Sequence, residues 1–171
     1  MRTVLFVCTG NTCRSPMAEA IARHALQADP GLAGGTEADR DVFVASAGVG
    51  ALDGMPTTHE TTEALRRRGI EHDGRSKRLT DAMIRKADLV VCMTASHQAA
   101  ARRLVDDAPE HLARIVPLDP AGDIEDPIGM GQREYDALAD RLATLIPDRL
   151  RSLLGEGAAS APATRRNRRT P

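Results

Sequence analysis

Five residues, Thr9, Gly10, Asn11, Thr12 and Cys13, separate Cys8 from Arg14. A thiol and a guanidinium at that spacing can act on one anion. A loop this short, curled at the amino end of a helix, aims several backbone N–H groups into one concavity, and such nests hold oxyanions, phosphate above all. The same positive field favours a thiolate over a thiol. Arg14 can reach back over the loop and present its planar fork to two phosphoryl oxygens. Nucleophile, anion cradle and clamp within one turn suit attack by sulfur on phosphorus.

Sulfur attack alone leaves the departing group unprotonated, so a carboxyl near the leaving atom is needed. Asp119-Pro120 and Asp126-Pro127 are the candidates. "GDIEDPIGMG" is flanked by glycines and precedes the last helix, the pattern of a mobile loop over a pocket, which makes Asp126 the expected general acid. Asp119 directly follows a strand and reads as a turn cap.

These groups need a frame. Residues 4–7 are apolar and β-rich, a buried strand with Cys8 as the first loop residue beyond it. Ser15 suits an N-cap and Pro16 the first helical position, predicting a helix over 16–28. Strands are expected at 42–48, 89–93 and 114–118. Helices are expected after Pro56 with Gly69 as C-cap, from Thr80 as N-cap, over 97–105 and over 132–154. "DPGLAGG" and the acidic stretch to Asp41 read as a surface connection. Strands alternating with helices predict an α/β fold, a parallel sheet covered on both faces, with ligands beyond the carboxyl ends of the strands.

The chain has 171 residues, enough for one domain with a real core, read here as 1–154. Apolar residues make up 42% but aromatics only 2%, so the core rests on Leu, Ile, Val, Ala and Met. A formal charge of -1 predicts neither nucleic-acid nor membrane binding. No apolar run reaches spanning length, and the early first strand leaves no room for a signal peptide. Three cysteines make no disulfide framework, so a cytoplasmic, reducing setting is expected. Cys92, inside "ADLVVCMT", reads as an inert core thiol. Residues 155–171 turn to Gly, Ala, Pro, Ser and Arg without apolar periodicity, the composition of a disordered tail.

"VLFVCTGNTCRSPMAEA", followed by "SAG", "ADLVVCMT" and "EDPIG", resembles the low-molecular-weight protein tyrosine phosphatases from about Arg2 to Leu153. The resemblance implies a four-stranded parallel sheet between helices in three layers, with the phosphate loop between first strand and first helix. It implies Cys8 as nucleophile forming a cysteinyl-phosphate, Arg14 as phosphoryl clamp, and Asp126 as acid and then base. Asn11, Ser15 and Ser46 match residues that hold the loop in shape, and Thr9, Gly10, Thr12 and Cys13 complete the cradle. The substrate would be a phosphorylated protein, acted on by a monomer without metal or other cofactor.

Within that family the loop is most similar to the bacterial protein arginine phosphatases, which carry Thr at the position of Thr12 where tyrosine-directed relatives carry a branched aliphatic residue. A hydroxyl there can meet the N–H groups of a phosphorylated guanidinium. Ile128 and Gly129 stand where tyrosine-directed relatives have aromatics, and "GVGALDGMP" has no aromatic either, so a ring-stacking pocket is poorly furnished. Phospho-arginine is the favoured substrate and phosphotyrosine the alternative. An arsenate reductase would need a relay through further cysteines, and a phospho-binding module would need neither Cys8 nor Asp126. Cys13 is the expected redox partner, condensing with an oxidised Cys8 to a disulfide. Gly74 occupies a position where relatives commonly have His, with His72 two residues earlier. His24, His59, His97 and His111 show no metal-ligand spacing and are expected to be ordinary helix or surface residues.

Overall fold

The computed structural model describes residues 1–35 and 41–156. Four parallel strands, β1 (Arg2–Cys8), β2 (Val42–Gly48), β3 (Leu89–Cys92) and β4 (Ile115–Pro117), lie in the order β2-β1-β3-β4. Among the described residues five α-helices complete the layers: α1 (Arg14–Ala28), α2 (His59–Arg66), α3 (Asp81–Lys86), α4 (Ala95–Arg103) and α5 (Gln132–Glu156). The period of two along a strand divides the core. Val4, Phe6 and Val91 pack with residues of α1, α2 and α5 on one face. Leu5, Val7, Val90 and Cys92 pack with Ile84 of α3 and Ala101 of α4 on the other.

The chain leaves β1 toward β2 on one side and returns to β3 on the other, so the strand order reverses at the β1/β3 boundary. That reversal opens a crevice at the carboxyl ends of these two strands, where Val7 pairs with Cys92. Gly48, at the end of β2, is required by close approach: a Cβ there would fall 2.4 Å from the Thr9 carbonyl oxygen and 2.9 Å from Asn11 N. Gly69 closes α2 as expected, at φ 73°, with the Ile70 N–H returning to the Leu65 carbonyl at 3.0 Å.

Three expectations are corrected. Residues Pro30–Ala33 form a 3-10 helix whose Leu32 and Ala33 are buried, rather than a surface connection; the acidic residues 36–40 lie outside the described residues. Helix α1 begins at Arg14, with Cys13 at the cap position and no side-chain cap, because the Ser15 hydroxyl turns into the loop instead. Helix α4 begins at Ala95, since Thr94 caps it by accepting the His97 N–H. The tail expected at 155–171 falls almost wholly outside the described residues, and α5 runs through Glu156. Among the described residues no helix is long and apolar enough to cross a membrane.

Candidate active site

Cys8 ends the buried central strand, and the loop that follows folds back over it. The Asn11 N–H donates to Cys8 Sγ at 3.3 Å, and Ser15 Oγ stands 2.9 Å from the same sulfur. Asn11 has φ 53°, the only positive φ of a non-glycine among the described residues; asparagine tolerates that conformation better than most. Its side chain fixes it there. Asn11 Nδ2 donates to Ser15 Oγ and to Ser46 Oγ, both at 2.9 Å, while Oδ1 accepts the Lys77 N–H at 2.8 Å. Ser46 in turn donates to Glu19 at 2.5 Å, and Glu19, 4% exposed, is paired with Arg23 at 2.6 Å.

This network leaves the loop's amides open. The N–H groups of Gly10, Thr12, Cys13, Arg14 and Ser15 find no acceptor among the described residues. They include the orphan donors of the first turn of α1. Uncapped donors around a sulfur make an anion cradle.

Arg14, 5% exposed, closes the loop. Its Nη1 donates to the Ile124 carbonyl at 3.0 Å and its Nη2 to Asp126 Oδ2 at 2.8 Å, with Thr9 Oγ1 at 3.5 Å. The loop of residues 122–131 is anchored at its start. The Ile124 N–H donates to the Met93 carbonyl, and Asp123 accepts the Ala95 N–H, both at 2.8 Å. Asp126 therefore meets Arg14 while its side chain stays 41% exposed. Asp119 lies elsewhere, held by Arg141 and by the Ala121 N–H.

Thr12 is half-buried; its carbonyl accepts the Thr58 N–H at 2.9 Å and its hydroxyl lies 3.6 Å from Cys13 Sγ. The Cys13 sulfur also contacts Tyr135 OH at 3.4 Å and Thr58 Oγ1 at 3.6 Å, sharing no partner with Cys8. All three cysteines are free, and burial pushes the Cys92 thiol up to about 12. Ile128 is 65% exposed on the wall beyond Asp126.

His97, expected as an ordinary helix or surface residue, lies on α4 but is 4% exposed and bonded to Thr9 through Nε2 and to Thr94 through Nδ1. His72 folds back over Gly74, where an added Cβ would fall 2.4 Å from its Nε2; burial lowers its pKa, against the pull of the Glu19 carboxylate. No group of three or more His, Cys, Asp or Glu among the described residues could hold a metal. Sequence reasoning missed Glu19 and His97. Glu19–Arg23 is an i,i+4 pair of the kind that normally marks a solvated helix face, so nothing local betrays its burial.

Known proteins share both the sequence and the fold. A protein-arginine-phosphatase of Geobacillus stearothermophilus is 38% identical over 86% of this chain and 92% of its own. A probable low molecular weight protein-tyrosine-phosphatase EpsP of Ralstonia solanacearum is 32% identical over 85% of this chain and 99% of its own. A solved YwlE arginine phosphatase, a cysteine-to-serine mutant with a phosphorylated active-site serine, superposes with a TM-score of 0.76 at 32% identity, covering 88% of this chain and 95% of that one. The family described as low molecular weight phosphotyrosine protein phosphatase matches residues 3–159, and the chain belongs to that family.

Proposed function

We propose that this protein phosphatase hydrolyses phospho-arginine in proteins through a phosphorylated Cys8. One observation carries the catalytic assignment: Arg14, rooted in the loop that wraps Cys8, reaches the Asp126 carboxylate at 2.8 Å, so nucleophile, clamp and carboxyl share one cleft. The Ile124 carbonyl holds Nη1, so Nη2 is the nitrogen that exchanges Asp126 for a phosphoryl oxygen.

The steps balance with protein groups and water. Cys8 sulfur forms a bond to phosphorus as the bond from phosphorus to the guanidino nitrogen breaks, and Asp126, protonated, delivers its proton to that nitrogen. The loop amides and Arg14 take the charge on the phosphoryl oxygens. Water then attacks phosphorus, Asp126 accepts its proton, the sulfur–phosphorus bond breaks and phosphate leaves. Ser15 and Asn11 face the sulfur with donors that a thiolate leaving group accepts.

The substrate preference is supported by the Thr12 hydroxyl at the loop, by the absence of aromatics from both flanking loops, and by the relatives named arginine phosphatases. Phosphotyrosine is the second reading, favoured by the exposed apolar side chains of Leu52, Met55, Ile128 and Met130 on those loops. The reading is of a monomer, and three free thiols suit the cytoplasm. Cys13 serves as resolving thiol when Cys8 is oxidised. Matched phospho-arginine and phosphotyrosine peptides test the preference: a higher kcat/KM for phospho-arginine is expected, and a strong preference for phosphotyrosine would overturn it.

A further inference from the structure

We propose that His97 is a positioning residue for the phosphate loop, fixing the Thr9 hydroxyl and, through it, the Nη2 edge of Arg14; the inference rests on the phosphatase reading above. His97 lies in the first turn of α4, which follows β3, whereas Thr9 follows β1. The contact bridges the crevice where the strand order reverses. Helix α4 also receives Asp123 at its Ala95 N–H, so one helix start braces both the loop that carries Cys8 and the loop that carries Asp126.

The protons order themselves along this bridge. Arg14 Nη2 donates toward Thr9 Oγ1 at 3.5 Å, so the Thr9 proton turns to His97 Nε2 at 2.8 Å. Nε2 then carries no proton, and Nδ1–H donates to Thr94 Oγ1 at 2.9 Å. Thr94 Oγ1 also accepts the His97 backbone N–H at 3.2 Å and passes its own proton to Ser96 Oγ at 2.9 Å. In this arrangement the Thr9, His97 and Thr94 donors each have an acceptor and the ring is neutral. With Nε2 protonated instead, Thr9 Oγ1 would accept from both Arg14 and His97 and turn its own proton out to solvent, and the bridge would still stand. Burial first, then the Arg14 charge, lowers the His97 pKa to about 4, and the carboxylates of Asp123 and Asp126 oppose them.

Thr9 is exposed at the mouth of the loop, so its hydroxyl has no packing to hold it. Without His97 it would rotate freely, and Arg14 Nη2 would lose one of the contacts that aim it. The effect falls on the oxyanion, whereas Cys8 is held separately by Ser15 and Asn11.

The test measures vanadate inhibition of aryl phosphate hydrolysis, together with the rate of Cys8 alkylation by iodoacetamide. Wild type, Thr9→Val, His97→Leu, His97→Gln and the Thr9→Val/His97→Leu double variant are compared. His97→Leu and Thr9→Val should each weaken vanadate inhibition roughly five- to tenfold, the effect of about one hydrogen bond. The double variant should lose no more than either single, and His97→Gln should recover most of the loss. Cys8 alkylation should stay within about twofold throughout, by the same one-bond reasoning. Unchanged vanadate inhibition in Thr9→Val or His97→Leu overturns the proposal. So do additive losses in the double variant, or a parallel change in Cys8 alkylation, which marks general loosening of the loop. If His97→Leu does not fold, Thr9→Val and His97→Gln decide. A wild type that binds no vanadate and turns over no phosphate ester would instead remove the phosphatase reading itself.

Discussion

Asp119-Pro120 and Asp126-Pro127 are the same dipeptide on the same side of the sheet, and their local geometry is nearly the same. Each aspartate uses Oδ1 to accept the N–H two residues on, from Ala121 at 2.8 Å or Ile128 at 3.2 Å. Each uses Oδ2 to take an arginine at 2.8 Å. The arginine makes the difference. Arg141 projects from α5 with its side chain 44% exposed, whereas that of Arg14 is 6% exposed and rooted in the phosphate loop. The two carboxylates are ordered the other way, Asp126 being the more open at 41% against 17%. A carboxyl that serves the phosphoryl site must sit beside the clamp and keep an accessible oxygen, and Asp126 does both. A turn cap needs neither.

The strongest test of that contrast removes the sulfur. Cys8→Ser should lower turnover by at least about 10⁴-fold, as loss of a nucleophile does elsewhere. In that background Asp126→Asn and Asp119→Asn should become indistinguishable by phosphate release. With Cys8 in place, Asp126→Asn should slow kcat by about 10²- to 10⁴-fold, the usual effect of losing a general acid. Asp119→Asn should leave kcat near wild type; a reversal of the two results would break the comparison.

Peroxide treatment followed by dithiothreitol asks a related question of the two loop cysteines. Wild type should recover, while Cys13→Ser should stay inactive and carry sulfinic or sulfonic acid on Cys8 by mass spectrometry. Equal recovery would remove Cys13 from that role. Thr12→Ile should shift the ratio of phospho-arginine to phosphotyrosine activity by about tenfold toward phosphotyrosine, the effect of one hydrogen bond exchanged for apolar contact.

The smallest effect belongs to Asp119. Its pKa is lowered by the Ala121 N–H first and Arg141 second, so its stabilisation is present above the unfolded carboxylate value and fades as pH falls through the folded one. Asp119→Asn should therefore cost no more than about 1 kcal/mol in urea denaturation at neutral pH. That difference should close on acidification.

How far the sequence foretold the site depended on how local each signal was. The frame is legible because β1 and β3 are continuous apolar runs and Thr80 and Gly69 mark helix ends, whereas the caps at Thr58 and Thr94 go unread and α4 is expected two residues late. Cys8 and Arg14 are legible as candidate nucleophile and clamp because five residues of loop can serve few purposes, whereas the part of Asn11 follows only from the family resemblance. Ser15 misled as an N-cap because that residue type suits both a cap and a thiolate donor. Glu19 and His97 were illegible: each owes its burial to a strand or loop distant in sequence. Glu19 reaches Ser46 on β2, and His97 reaches Thr9 beyond β1.

Tyr135 has an optical consequence. It is the one tyrosine of a chain without tryptophan, so the protein's ultraviolet emission comes from a single assignable phenol. That phenol is buried, with its hydroxyl 3.4 Å from Cys13 Sγ, and burial followed by the Cys13 contact raises its pKa, suppressing tyrosinate emission in mild alkali. Any event that moves the Cys13 sulfur changes the surroundings of the only fluorophore. The molecule thus carries a built-in, label-free gauge of its own phosphate loop, readable by stopped-flow emission with no tryptophan background.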